Sequence, residues 1–435
     1  YSGLEVYDGT NLIDESGSPW NSFPNGTVYG FLFDRDNHTM KFRYNNGNEE
    51  SCSEPTHTRG LPIEFGRSVT STWQAHNFTM NFGGNGFAYT PPDGYNSICT
   101  ANLPDPTITK GSDYFDTVLY TGTATGSATQ TISGVGFAPN LTWIKNRGQT
   151  YSHMVLDTVR GAGNYLEANS INDEDNANAN GNLTSFTSDG FVTTRGSSNG
   201  GRVNENGETY VSWNWKESTT AGFDILTYTG SGSNKTVSHG LGVKPQMMII
   251  KNRDDDENWR VYHEEIGATH SLYLQDNDSK IDANQVWNDT EPTSSVFSVG
   301  TYNSTNGNGK DYIAYCFSSV EGYSKFGAYE GNGSSNGVFV HTGFRPAFIM
   351  SKCTSHSDAW HMFDTTRDPD NLSHHRVQAN LNDVESTSIS SVTSNVDILS
   401  NGFKWRGSSN DTNGSGDDYI YMAFAESPFK YANAR

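Results

Sequence analysis

One phrase occurs three times in this chain: GETYVSWNWKE from Gly207 to Glu217, GKDYIAYCFSS from Gly309 to Ser319, and GDDYIYMAFAE from Gly416 to Glu426. Each opens on Gly, places Tyr at the fourth position and then alternates. One face carries Val211, Trp213 and Trp215, then Ile313, Tyr315 and Phe317, then Ile420, Met422 and Phe424. The other carries Tyr210, Ser212 and Asn214, then Tyr312, Ala314 and Cys316, then Tyr419, Tyr421 and Ala423. A period of two is that of a β-strand. A uniformly large apolar face marks the core strand of a sandwich. The Tyr-led face is expected to lie beneath a neighbouring strand or domain.

The phrase closes a longer repeated unit. FDTVLYTGTATG, FDILTYTGSGSN and FGAYEGNGSSNG start at Phe115, Phe223 and Phe326. A Gly- and Pro-containing turn follows at Gly136, Gly240 and Gly343, then a ring at His153, Trp259 and Trp360. Phe191, Phe297 and Phe403 mark a further shared block. The period is roughly a hundred residues, too long for a solenoid rung and the size of a whole β-sandwich. The expected fold is therefore all-β: tandem β-sandwiches at 111–219, 220–323 and 324–435, preceded by a different module at 1–110. The junctions, Ser218–Gly222 and Ser318–Lys325, are short, so neighbours are expected to touch.

Composition agrees. Hydrophobic residues make up 33% and charged residues 18%, the remainder being rich in Gly, Ser, Thr and Asn, a diet of short strands and turns. The net charge of −21 repels phosphate backbones and anionic lipid, which argues against nucleic-acid or membrane-surface binding. No apolar run reaches the ~18 residues of a membrane-spanning helix. Four cysteines are too few to staple such a chain. Cys52 and Cys99 are candidates to meet in the first module, whereas Cys316 shares its position with Asn214 and Ala423 and owes nothing to sulfur chemistry. The chain opens on Tyr1 with no initiator Met or signal sequence, and we read it as a piece or processed product of a longer one.

The first module contains TVYGFLFDRDNHTMKFRYNNG from Thr27 to Gly47 and HNFTMNFGGNGFAYTPPDGYNSI from His76 to Ile98. The first stretch reads as a β-hairpin turning at Asp34–His38. Together they resemble the C-terminal half of a SPRY domain, a lectin-like sandwich. The resemblance rests on Gly30, Asp34, Asp36, Asn37, Asn46, Gly47, Asn81, Phe82, Gly83, Phe87, Tyr89, Pro91, Pro92, Gly94 and Tyr95. It implies a loop-based binding module without catalytic activity. Residues 115–435 resemble a domain of unknown function common in virion proteins of marine tailed phages, through VSHGLGVKPQMMIIKNRD, AWHMFDTTRDP, LSNGFKWRG and YIYMAFAESPFKYANAR. That likeness implies a tail-fibre or appendage component, located on the virion and outside the cell. The implied partners are copies of itself (a trimer, as fibres generally are), other virion proteins and a host-surface glycan or protein.

Asp157/Arg160 and Asp364/Arg367 share an Asp-Thr-x-Arg spacing, and Asp364 beside His361 has the makings of a general acid or base. The competing reading, an ion pair closing a turn, is preferred because the spacing recurs in a repeated scaffold; the second repeat has His263 and Ile266 there. The acidic runs Arg253–Asn258 and Ile171–Asn180 lack a regular calcium-loop spacing. His374–His375 has no partner at zinc-like spacing. No Gly-x-Ser-x-Gly, phosphate loop or dinucleotide fingerprint is present. The sequence thus nominates no catalytic, cofactor-binding or metal residue and no cofactor. The expectation is a non-enzymatic virion protein; the alternatives are a capsid decoration or filament subunit and a tailspike-like glycan depolymerase.

Overall fold

The computed structural model describes residues 5–8, 11–15, 28–34, 39–44, 47, 50–53, 87–96, 102, 105–126, 128–387 and 394–431. The chain divides into two compact units, Tyr1–Pro104 and Asp105–Arg435. In the first unit Glu5–Asp8 pairs with Asn11–Glu15, and Tyr29–Asp34, Thr39–Tyr44 and Glu50–Ser53 form an antiparallel sheet. Phe31 faces Phe42 across the hairpin that the alternation predicts. The Cys52–Cys99 pairing and much of the SPRY-like motif, including Asp36, Asn37, Asn46 and Asn81, lie outside the described residues.

The second unit is built of antiparallel β-sheets. Each repeat has a large sheet and a small one. In the first repeat the large sheet runs Tyr165–Glu167, Met154–Asp157, Leu141–Asn146, Thr209–Trp215, Phe115–Thr121, and the small sheet runs Asn182–Thr187, Gly190–Thr194, Thr129–Ser133. The third repeat keeps the order, with Asp418–Pro428 in the place of Thr209–Trp215; the second keeps it in its large sheet around Asp311–Phe317, adds the edge strand Ile281–Asp282, and has only Lys235–Ser238 and Val296–Val299 in its small sheet. In all three, the closing strand lies beside the strand that opens its own repeat, at Phe115, Phe223 and Ser324.

The two faces of the closing strand go to different cores. The Tyr-led face lies inside its own sandwich: Tyr312, Ala314 and Cys316 pack with Val237, Phe297 and Val299 of the small sheet. Tyr421 and Ala423 pack in the same way with Val340, Phe403 and Trp405. The large apolar face points the other way. Val211, Trp213, Trp215, Ile313, Tyr315, Phe317, Ile420, Met422 and Phe424 all belong to one continuous core shared by the three repeats. The pattern does mark a core strand, but its bulk fills the space between repeats rather than within one. The reason is geometric. A sandwich of two thin sheets leaves room for Ala and Cys beside the tyrosines, whereas three sheets converging on one centre leave a wide gap that only large side chains fill.

The fixed Gly and Tyr of the phrase also have physical causes. Gly207, Gly309 and Gly416 adopt φ of 82°, 70° and 76°, a conformation side chains strongly disfavour. Tyr210, Tyr312 and Tyr419 stack on Tyr120, Tyr228 and Tyr329 at 4.9 Å between ring centres in each repeat. Their hydroxyls both accept and donate: the Tyr312 hydroxyl takes the Gly307 amide at 2.6 Å and gives to the Asn303 carbonyl at 2.6 Å. Tyr210 and Tyr419 grip the same loop in their own repeats. Phenylalanine has the ring but not the hydroxyl, so it cannot do this.

The three repeats close into a ring. The Glu174 amide donates to the Arg253 carbonyl at 2.9 Å, Lys280 to Thr354 at 3.2 Å, and Glu385 to Arg147 at 2.9 Å. These are equivalent bonds running from the first repeat to the second, the second to the third, and the third back to the first. Phe115 stacks on Phe424 at 5.0 Å, joining the start of the ring to its end.

Candidate functional site: buried ion pairs at the repeat junctions and a His–Asp cluster

The Asp-Thr-x-Arg spacing puts an aspartate at a strand end and its arginine three residues on, where the turn brings it back. The Asp364 carboxylate accepts from the Arg367 backbone amide at 2.8 Å and from its Nε at 2.5 Å. Both side chains are fully buried. Asp157 and Arg160 repeat the geometry at 2.8 and 2.5 Å. The ion pair closing a turn is therefore present in both repeats.

Each pair also receives a side chain from another repeat. Trp213 of the first repeat donates its indole N–H to Asp364 of the third at 3.0 Å. Tyr315 of the second donates its hydroxyl to Asp157 of the first at 2.7 Å. Trp213 and Tyr315 occupy equivalent positions, where the third repeat has Met422. A thioether has no proton to give. Its target position in the second repeat is His263, whose Nε2 meets the Tyr421 backbone carbonyl at 3.3 Å, and Arg is replaced by Ile266, which packs on the shared core. Loss of the donor and loss of the acceptor thus occur together. Sharing its position with Tyr315 and Met422, Trp213 reads in the sequence as a need for bulk rather than for an indole, but its indole N–H is used as well.

Two glutamates, Glu174 and Glu385, hold the arginines in place. Glu174 accepts from Arg160 at 3.1 Å and from Arg253 of the next repeat at 2.7 Å. Glu385 accepts from Arg367 at 2.9 Å and Arg147 at 2.7 Å. These arginines hold the Glu385 carboxyl below the usual carboxylate range against the opposing effect of burial. The neighbouring carboxylates hold the Arg160 and Arg367 guanidiniums firmly charged. These buried groups are bonded to one another across the repeat junctions.

Three buried lysines repeat the lesson. Burial lowers Lys145, Lys251 and Lys352 to about 8, a value that suits a nucleophilic amine. Each, however, bonds the carbonyl of its own next residue, at 2.6, 2.8 and 2.7 Å. One lysine at each repeated position, in the same bonds, is a structural element.

The acidic runs are likewise occupied. Asp254 accepts from the Asp311 amide, Asp255 from Lys310, and Asp175 from Tyr165. His375 hydrogen-bonds Asp368, which also takes the amides of His374 and His375 at 2.6 Å each. That cluster is a satisfied turn.

The cluster around His361 differs. His361 is wholly buried, and neither ring nitrogen has a hydrogen-bond partner. Its Nε2 faces Asp358 at 3.9 Å and Asp411 at 3.8 Å, beyond hydrogen-bond reach. Asp364, its sequence neighbour, points into the junction instead. Asp358 also borders an open polar cleft of about 400 Å³ between the second and third repeats, with Gln275, Asp276, Asn277, Ser357 and Asn380. Sequence reading missed Asp358 and Asp411. The available signal was a double change of type between repeats: Met154, Arg260 and His361 share one position, and Arg202, Ser304 and Asp411 another. At the centre of the ring lies a void of about 20 Å³ lined by Trp215, Ile249, Phe348 and Met422 among others; it is about one water in size and apolar, hence dry.

The buried imidazoles make stability depend on pH. Burial lowers His263 to about 4, below the ~6.5 of an exposed histidine. As pH falls, the unfolded chain takes up this proton first, so stability present above pH ~6.5 is lost progressively down to about 4. The loss is on the order of 3 kcal/mol for this residue. His153 and His361 shift in the same sense through burial. Denaturant titrations at pH 7, 5.5 and 4.5 should show the fall in the wild type and a shallower one in His263→Gln.

Residues 110–428 match a family described as Domain of unknown function (DUF7483). The chain belongs to that family. The DUF7483 match spans all three repeats and the ring they close. No curated protein and no solved structure matches the chain. Among the described residues no helix is long and apolar enough to cross a membrane.

Proposed function

We propose that this DUF7483 chain is a non-enzymatic structural component of a phage particle, a tail-fibre or appendage piece that presents loops to a host-surface glycan or protein. The observation that carries the proposal is the use made of its ionisable side chains. Asp157, Arg160, Asp364 and Arg367, the best catalytic candidates in the sequence, are buried and bonded across repeat junctions. Such a body is a rigid carrier, and loops on rigid carriers are the usual seat of recognition. The cleft bordered by Asp276, Asn277 and Asn380 offers amide and carboxylate groups suited to sugar hydroxyls. The net charge of −21 favours a soluble surface exposed to solvent.

Gold-labelled antibody imaging of intact particles tests the location. Label confined to fibres or appendages supports the proposal; label spread over the capsid favours a decoration protein. Incubation with host polysaccharide tests the chemistry, and reducing ends released in proportion to protein would replace the carrier by a depolymerase.

A further inference from the structure

His361 is buried in a way its counterparts are not. In the first repeat the position holds Met154, which packs in an apolar core. In the second it holds Arg260, whose Nε donates to Ser304 at 2.8 Å and whose guanidinium lies over Tyr273 and Tyr302. The fold therefore accepts there an apolar side chain, or a polar one bonded through at least one atom: Arg260 Nη1 has no partner, but its Nε does. His361 has none for either nitrogen, and a buried polar group left unsatisfied costs about 1–3 kcal/mol.

What faces it is two carboxylates from different segments. Asp358 precedes its strand, and Asp411 comes from the loop before the closing strand, at the position of Ser304 in the second repeat. The two oxygens and Nε2 lie within 4.8 Å of one another. Separations of 3.8 and 3.9 Å are too long for hydrogen bonds but suit an ion between the atoms, since metal–ligand bonds are about 2.0–2.2 Å each. One cation is already near: Arg376 Nη1 lies 3.3 Å from Asp411, which also meets Ser394. Its bonds go to Ser394 and Asp411 and not to Asp358 or His361. Asp358 opens on the cleft, which gives an ion an entry path and leaves coordination positions for water.

We propose that Asp358, His361 and Asp411 form a divalent-cation site at the rim of this cleft. Two carboxylates and an imidazole suit Zn²⁺ or Mn²⁺ better than the all-oxygen shell of Ca²⁺. The ion satisfies His361 and ties the loop carrying Asp411 to the strand entry at Asp358.

The test is calorimetric titration of the full chain, stripped with EDTA, with ZnCl₂ and MnCl₂. Saturable binding of one ion is expected for at least one metal. Affinity should fall at least tenfold in His361→Met, the side chain the first repeat uses, and in Asp411→Asn, whose partly exposed site keeps folding intact. The double variant His374→Ala/His375→Ala should bind as the wild type does. The absence of saturable binding to the wild type overturns the site. So does binding indifferent to Asp411→Asn, or binding abolished by the His374/His375 variant alone.

Discussion

Replacing Asp364 by alanine is expected to destabilise the unit spanning residues 105–435 by about 3–5 kcal/mol, the cost of leaving a buried charge without its partner. Asp364 accepts three bonds, two from Arg367 and one from Trp213 of another repeat. Its removal leaves the Arg367 guanidinium with Glu385 and the Met362 carbonyl and leaves the Trp213 indole N–H without an acceptor. Asp364→Asn preserves one acceptor oxygen and should cost less. Chemical denaturation of the three proteins measures this. A catalytic Asp364 would behave differently: the alanine variant would keep its melting temperature and lose an activity.

Phe424→Ala is expected to cost a further large amount, about 3–5 kcal/mol, as large-to-small changes in a packed core do. The Phe424 ring meets Phe115 at 5.0 Å and Trp215 at 5.8 Å from the first repeat, Phe317 at 6.2 Å from the second, and Phe326 at 6.0 Å within its own. Rings converging from three repeats cannot all relax into the gap, so the cavity persists. By contrast, Phe339 is 42% exposed, and Phe339→Ala should change stability by no more than about 0.5 kcal/mol. Thermal unfolding of both variants reads the difference.

Much of this was legible in the sequence because a repeated chain aligns with itself. The all-β class follows from the alternation in GETYVSWNWKE and its copies. The buried pairs Asp157–Arg160 and Asp364–Arg367 follow from a spacing that a single turn closes. Which core the large face enters was not legible. Period two says that Trp213, Trp215 and Phe424 are buried, but burial against a partner sheet and burial against another repeat leave the same pattern. The junction partners were hidden for the same reason, since Trp213 and Asp364 are far apart in sequence. One trace was visible in retrospect: the second repeat lacks the aspartate, and the third lacks the donor at Met422. The His361 cluster is half legible: the sequence sets His361 beside Asp364, whereas its neighbours Asp358 and Asp411 come from segments that only the fold brings together.

The repeats are not self-sufficient: the large sheet of each is covered by the other two. Alone, residues 220–323 would expose Ile249, Trp259, Val261, Ile313, Tyr315 and Phe317, all now in the shared core. That is more contiguous apolar surface than soluble monomers carry. Expressing residues 220–323 alone and recording its amide proton–nitrogen correlation spectrum tests this most directly. The ring predicts collapsed, undispersed peaks or aggregation and no folded monomer. A dispersed spectrum from a monomer that unfolds cooperatively would contradict it.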